Sequence, residues 1–301
     1  KSKSLYIFDQ NGLKTDYNAN KYLMGTPAIG NLDDDEDLEA VVGGYSLVDS
    51  INQIFVVNPN GSNVDGFPLI IEGHTKSGVA LADFNQNGKD DIVVGTDSSN
   101  LHLFYDDGSE APGFPYKVGD KIQSATVIQD VNNQKVIFTG SNDSVFYAVN
   151  SDGNLRFSIP TTNKILNSPA LLEDNNNFYV FFSDDNGILY AVDTNGYALS
   201  GWPVDVGQVI SQSVVFSDLN NDGTPEIIAV TKMTDIIAYN LDGSVHDGFP
   251  IDNELQFSSA PIVIDLDGDG DLEILAGSYN GLVSIDVKTS GANNGYWSMY
   301  R

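Results

Sequence analysis

The chain contains no cysteine. Disulfides play no part in its fold, thiolate metal sites and cysteine nucleophiles are excluded, and cysteine usage is silent on the redox compartment. Positive charge is scarce: 14 Lys and Arg, of which only Arg156 and Arg301 are Arg, stand against 42 Asp and Glu, for a net charge of -28. A surface of that sign repels nucleic acid and anionic membranes, so neither is expected as a partner. No apolar run reaches 18 residues, so no spanning helix and no membrane insertion are expected. The three histidines, His74, His102 and His246, stand beside no nucleophile motif. Gly-x-Ser-x-Gly, His-Glu-x-x-His and P-loop patterns are all missing, and the chain reads as non-catalytic. No signal peptide is recognisable and the chain begins at Lys1 rather than Met. We expect a mature or excised piece of a longer protein.

Asn, Asp, Gly and Ser are plentiful, and only 19% of residues are charged, which suits a turn-rich all-β chain. Self-similarity dominates. One unit runs from a small residue through an apolar strand, an acidic loop, a second strand, a short turn, a third strand ending in Asn/Asp-Gly, and an aromatic-proline pair. Unit starts fall at Thr26, Ser77, Ser124, Ser168, Ser213 and Ser259, with spacings of 51, 47, 44, 45 and 46 residues. Four strands at that period predict a β-propeller, one domain over 1–301. Residues 1–25 read as a partial blade, because Leu5–Gly12 matches the third strand and turn of the units. Its counterparts are Ile54–Gly61, Leu101–Gly108, Phe146–Gly153, Leu189–Gly196 and Ile236–Gly243. Asn-Gly or Asp-Gly between apolar strands predicts type I′ hairpins. Third strands number seven, counting 282–287, whereas acidic-loop hairpins number six. We therefore expect seven blades, with the missing half supplied by sequence outside 1–301; six blades plus a spare hairpin is the alternative.

Four units carry one loop in one register. Asp265, Asp267, Asp269 and Glu273 occupy positions 1, 3, 5 and 9; Asp218, Asn220, Asp222 and Glu226 repeat them. Asp83, Asn85, Asn87 and Asp91 repeat them with fewer charges, and Asn31, Asp33, Asp35 and Glu39 repeat them with Glu36 where the others have glycine. Ca2+ takes six to eight oxygens, and alternate residues of a tight loop can face one ion. Glycine at position 6 allows the turn that offers the position-7 carbonyl. Twelve of these side chains are carboxylates, so four Ca2+ ions would bring the net charge from -28 to -20. An EF-hand needs a bidentate Glu at position 12 and flanking helices. Position 12 is Val42, Val94, Ala229 or Ala276, inside β-rich runs, and the EF-hand is rejected.

In the third and fourth units the loops are shortened around Asp130 and Asp174, without the glycine or the position-9 acid. We expect no metal there, only plain turns. The pairs Phe67-Pro68, Phe114-Pro115, Trp202-Pro203 and Phe249-Pro250 each follow a glycine. Proline cannot donate to a ladder and belongs at the start of an outermost strand. Repetition in most units favours packing between blades over an aromatic ligand platform.

The stretch 259–278, Ser-Ala-Pro-Ile-Val-Ile-Asp-Leu-Asp-Gly-Asp-Gly-Asp-Leu-Glu-Ile-Leu-Ala-Gly-Ser, resembles the FG-GAP repeat, also called the VCBS repeat, of integrin α-subunit propellers and bacterial cell-surface propellers. The ending Tyr296–Arg301 also resembles the close of propellers in large secreted bacterial proteins. The resemblance implies Ca2+ ligands at the residues just named, joined by the carbonyls of Asp37, Lys89, Thr224 and Asp271. It further implies an extracellular or surface setting and a protein or carbohydrate ligand on the face opposite the calcium loops. Tyr22, Tyr45, His74, Lys76, Lys121, Lys164 and Phe257 are the contact candidates there. The leading expectation is a monomeric binding or adhesion module of a larger chain. The alternatives are a lyase-like propeller acting on polysaccharide, which needs lysines gathered to neutralise a uronate, and a purely structural spacer.

Overall fold

A computed structural model describes residues 2–293 and 295–299. The described residues form antiparallel sheets without helices, in strict chain order. The first sheet orders β1 (Ser2–Asp9), β2 (Gly12–Gly30), β3 (Glu39–Tyr45), β4 (Asn52–Val57) and β5 (Leu69–Ile71). The second holds β6 (Ala80–Ala82), β7 (Asp91–Gly95), β8 (Asn100–Phe104) and β9 (Tyr116–Lys117). The third holds β10 (Val127–Val131), β11 (Gln134–Gly140), β12 (Val145–Asn150) and β13 (Leu155–Pro160). The fourth holds β14 (Ala170–Asp174), β15 (Asn177–Ser183), β16 (Ile188–Asp193) and β17 (Val204–Asp205). The fifth holds β18 (Val215–Ser217), β19 (Glu226–Val230), β20 (Asp235–Tyr239) and β21 (Ile251–Asp252). The sixth has three strands, β22 (Ile262–Ile264), β23 (Asp271–Gly277) and β24 (Leu282–Ser290).

The chain forms two compact units, Lys1–Ser158 and Ile159–Arg301, where the sequence suggests one domain. The boundary falls inside β13. Within the first unit, Leu32, Val41, Ile54, Phe67, Ile92 and Val94 pack the first sheet on the second. Leu103, Ile122, Ile137 and Val149 pack the second on the third. Within the second unit, Phe181, Trp202, Phe216 and Tyr239 join the fourth sheet to the fifth, and Ile228, Phe257, Val263 and Ile274 join the fifth to the sixth. Central strands are therefore covered on both faces. That is why Ile92-Val93-Val94 and Ile227-Ile228-Ala229 read as continuous apolar runs rather than alternating ones. Each of the Ile and Val side chains contributes roughly 1.5–3 kcal/mol by burial.

Two of the unit-start serines fasten the start of their sheet to its second strand. Ser124 Oγ accepts from Gly140 N–H, and Ser259 Oγ accepts from Gly277 N–H, at 2.9 and 2.8 Å. The aromatic-proline pairs immediately precede the outermost strands, and their aromatics pack inward: Phe67 and Trp202 are buried, and Trp202 Nε1 donates to the Leu241 carbonyl at 2.8 Å.

Two expectations are revised. The Asn/Asp-Gly turns are not type I′, because only the glycine has positive φ (+87° at Gly61, +81° at Gly108, +83° at Gly243). Gly108 N–H donates to Tyr105 O and Tyr105 N–H to Ser109 O, a type I turn followed by a left-handed glycine bulge. Type I′ geometry occurs instead at Asn132-Asn133 and Asn175-Asn176, the plain turns that replace the shortened loops. The second revision concerns residues 1–25, which make no sheet of their own. The first half of β2 pairs with β1 and its second half with β3, with an irregularity between Met24 and Ala28. Thr15 Oγ1 donates to Pro59 O, and Tyr17 packs edge-on against Phe55, so the hairpin lies on the first sheet.

Candidate metal centre

The acidic loops link β2 to β3, β6 to β7, β18 to β19 and β22 to β23. The residue at position 9 lies buried at or near the start of the strand that follows, opening it in the first three and standing third in β23. In all four loops that acid accepts the backbone N–H of position 2. Glu39 Oε2 takes Leu32 N–H at 2.7 Å, Asp91 Oδ2 takes Phe84 N–H at 2.7 Å, Glu226 Oε2 takes Leu219 N–H at 2.7 Å and Glu273 Oε2 takes Leu266 N–H at 2.5 Å. The acid thereby fixes the loop entrance whether or not an ion is bound. Spacing alone does not reveal this role, because it depends on where a backbone N–H points.

The other carboxylate oxygen separates the loops into two kinds. Glu39 Oε1 and Glu273 Oε1 are buried without a hydrogen-bond partner, as are Asn31 Oδ1 and Asp271 Oδ1. Orphaned buried oxygens carry a desolvation penalty of about 1–3 kcal/mol, more when charged, and a cation would remove it. In the other two loops that oxygen has a protein neighbour: Asp91 Oδ1 accepts Asp106 N–H at 3.0 Å, and Glu226 Oε1 lies 3.6 Å from His246 Nδ1, whose hydrogen bond goes to Asn240 Oδ1 at 2.8 Å.

Carboxylate convergence follows the same division. Oxygens of Asp33, Asp35 and Glu39 lie within 4.8 Å of one another; so do those of Asp265, Asp267 and Asp269, and of Asp269, Asp271 and Glu273. Among the described residues the Asp83 and Asp218 loops form no such trio. Their side-chain oxygens fold back on the loop. Asp83 accepts Asn87 and Gly88 N–H, Asn87 accepts Lys89 N–H, and Asn85 accepts Asn87 N–H. Asp218 accepts Asp222 and Gly223 N–H, Asn220 accepts Asp222 N–H, and Asp222 accepts Thr224 N–H. In the first loop Asp35 accepts Asp37 N–H at 2.8 Å, while Asn31 is tied to the second loop through Asp90 and Gly88. The Lys89 ammonium bridges Asp34 at 2.9 Å and Asp106 at 3.5 Å, a cation already lodged between the first two loops.

Electrostatics show the strain of gathering acids. Burial pushes Asp91 up to about 6 and Glu226 up to about 7, and raises Glu39 as well. Asp271 is raised by the hydrogen bond it shares with Asp269, whose own acidity is strengthened by that bond. A divalent ion would favour the ionised form of all of them. The residues present in the first and fourth loops fit a hard cation: oxygen donors only, at least three carboxylates, and buried oxygens without protein partners. The position-12 residues Val42, Val94, Ala229 and Ala276 are buried in strands, where they cannot serve as ligands.

At the opposite ends of the same strands, the contact candidates are placed unevenly. Phe257 is 1% exposed and belongs to the core between the fifth and sixth sheets, so it presents no contact surface. Tyr45 is buried too, between the half-buried rings of Tyr22 (5.6 Å) and His74 (4.9 Å). Lys76 pairs with Asp97 at 2.9 Å and Lys164 with Asp185 at 3.4 Å, while Lys121 is exposed. Of the chain's ending, Tyr300 and Arg301 lie outside the described residues.

Comparison with known proteins agrees with this architecture. Residues 218–276, which run from the third acidic loop through the fourth, match the FG-GAP-like repeat family. No curated protein matches the sequence significantly. Among solved structures, BBS1N, crystallised in complex with ARL6DN, is 16% identical over 94% of this chain and 83% of its own, with TM-score 0.57. BamB from Moraxella catarrhalis is 12% identical over 96% and 88%, with TM-score 0.56. The V. cholerae biofilm matrix protein Bap1 is 16% identical over 87% of this chain, with TM-score 0.61, and this chain spans 47% of Bap1. All three are β-propeller proteins, and the fold of this chain is an all-β propeller carrying an FG-GAP-like repeat. In all, 795 solved chains match, a breadth that identifies a fold and no single activity.

Proposed function

We propose that the chain is a calcium-stabilised, non-catalytic binding or adhesion module of a secreted or surface protein, with a protein or carbohydrate ligand on the face opposite the acidic loops. The observation that carries the calcium half is the pair of buried, unpartnered oxygens, Glu39 Oε1 and Glu273 Oε1, each beside converging carboxylates. Resting affinity in the range of extracellular modules, on the order of 0.1–1 mM, suits a structural ion rather than a signalling switch. The binding half is supported by the biofilm-matrix setting of Bap1 and by the separation of acidic loops and opposite-face turns to the two ends of the strands. The lyase alternative is disfavoured because Lys76 and Lys164 are each neutralised by an aspartate.

Thermal melts with excess EGTA, then with calcium or magnesium restored, test the first half. A fall on chelation that calcium reverses and magnesium does not is the expected result; an unchanged melt sinks it. Arrays of immobilised polysaccharides and extracellular-matrix proteins test the second half. Calcium-dependent retention on one class is expected, and retention on none favours the spacer.

A further inference from the structure

The Asn31 and Asp83 loops belong to the first compact unit and are fastened to each other through their backbones. Asn31 N–H donates to Asp90 Oδ2 at 3.1 Å, Asp90 N–H donates to the Asn31 carbonyl at 2.6 Å, and Asn31 Nδ2 donates to the Gly88 carbonyl at 3.2 Å. The approach is so close that a Cβ on Gly30 would strike the Asp90 carboxylate. Asn31 is position 1 of its own loop, and Gly88 and Asp90 are positions 6 and 8 of the next. Between these two stands Lys89, whose carbonyl is the expected position-7 ligand. Its ammonium reaches back to Asp34 of the first loop at 2.9 Å.

The asparagine at position 1 follows from this contact. The other three loops have aspartate there, and its carboxylate folds onto its own loop. Asp83 accepts Asn87 and Gly88 N–H, Asp218 accepts Asp222 and Gly223 N–H, and Asp265 accepts Gly268 N–H. A carboxylate has no proton to give the Gly88 carbonyl, whereas a side-chain amide has two. With Nδ2 on Gly88, Asn31 Oδ1 is left on the other arm of the amide, buried and without a partner. Glu39, 0% exposed, keeps Oε1 in the same state.

We propose that Asn31 is a positioning residue that couples the first two loops, so that calcium in either one tightens the other. The inference rests on the calcium reading of these loops. An ion held by Asn31 Oδ1 would fix that side chain and its backbone. It would thereby fix the Gly88 and Asp90 peptides on either side of the Lys89 carbonyl. The second loop then has less freedom to lose when it binds, which is positive coupling. Repulsion between the two ions opposes it, and physiological salt screens that repulsion beyond about 8 Å. Linkage makes the effect reciprocal, and couplings between sites are typically about fivefold or more.

Calcium titration of the isotope-labelled chain by NMR reads the two loops separately, through the Asp37 amide for the first and the Gly88 amide for the second. Disabling the first loop with Asp33→Ala and Asp35→Ala together should raise the Gly88 midpoint about fivefold or more. Disabling the second with Asp83→Ala should raise the Asp37 midpoint by the same factor. Asp35→Asn alone serves if the paired substitution lowers the calcium-free melting temperature. Asn31→Asp is the sharpest variant. Its added charge should hold or lower the Asp37 midpoint, while loss of the Gly88 contact raises the Gly88 midpoint against the pull of that charge. A Gly88 midpoint that Asn31→Asp leaves unchanged or lowers would make Asn31 a ligand only and overturn the proposal. Midpoints that ignore the opposite loop, or fall when it is disabled, overturn the coupling and leave the calcium reading standing. Amides indifferent to calcium sink both.

Discussion

The Glu39 carboxylate holds the Leu32 N–H at 2.7 Å through one oxygen and buries the other without a partner. One side chain is thus both the clasp of its loop and a waiting ligand. Converting it to Gln keeps an oxygen for Leu32 but places an amide and no charge at the ligand position. Calorimetric titration of Glu39→Gln should show one calcium fewer than the unaltered chain. At free calcium of about 100 Kd, an occupied site stabilises the fold by about 2.7 kcal/mol, so its loss should lower the calcium-loaded melting temperature by several degrees. The calcium-free melt should move much less. Equal loss in both conditions would mean that Glu39 is only a clasp.

Chelated protein should be more stable in mild acid than at neutrality. Asp91 and Glu226 are raised by burial to about 6 and about 7, above their unfolded values. The folded state therefore holds protons that the unfolded state has released between about pH 4 and pH 7, and stability falls as pH rises through that window. Melts in EGTA at pH 5.0 and 7.5 should show the higher temperature at pH 5.0. Calcium should reverse or flatten the trend, since it favours the ionised acids. A chelated protein that gains stability towards pH 7.5 contradicts the burial argument.

Much of this was legible in the sequence, and the failures have physical causes. Loop positions 1, 3, 5 and 9 could be read because ligand spacing is local. The position-9 clasp could not, because it needs the direction of a backbone N–H. The hairpins were visible from Asn60-Gly61 and Asp107-Gly108, but a dipeptide does not say whether one or both residues adopt positive φ. Phe257 and Tyr45 were read as surface aromatics because they sit in connections; tertiary packing buries them. Residues 1–25 looked like a partial blade because Leu5–Gly12 matches the third strand and turn of the units, yet β2 runs on through Gly25 and Pro27 as one strand with an irregularity.

Packing between the second strand of one sheet and the connection to the next should tolerate no added atom. A Cβ on Gly95 would collide with Ile122, which is itself fully buried. Overpacking of this kind costs typically about 1–3 kcal/mol. Gly95→Ala should lower the urea midpoint without changing calcium stoichiometry. Removing the Ile122 Cγ2 that the added Cβ would strike, with Ile122→Ala, should leave the double variant less destabilised than the sum of the two single ones, and plain additivity would show that the collision is relieved elsewhere.

The four loops should not bind alike. In the Asn31 and Asp265 loops the second oxygen of the position-9 acid is free, and three or more carboxylates converge. In the Asp83 loop that oxygen accepts Asp106 N–H, only two ligand positions are acids, and the Lys89 ammonium lies close by. In the Asp218 loop it faces His246. Calcium titration should therefore resolve two tighter sites and up to two weaker ones. Asp267→Asn should remove a tight step, whereas Asp83→Asn should remove a weak one. Asp130→Asn and Asp174→Asn, in the strands leading into the two-residue turns of the third and fourth sheets, should leave the isotherm unchanged. His246→Ala should clear the imidazole from beside Glu226 Oε1 and tighten a weak site. A single class of four equal sites, insensitive to His246→Ala, would show that the loops rearrange on binding and that the orphaned oxygens do not rank them.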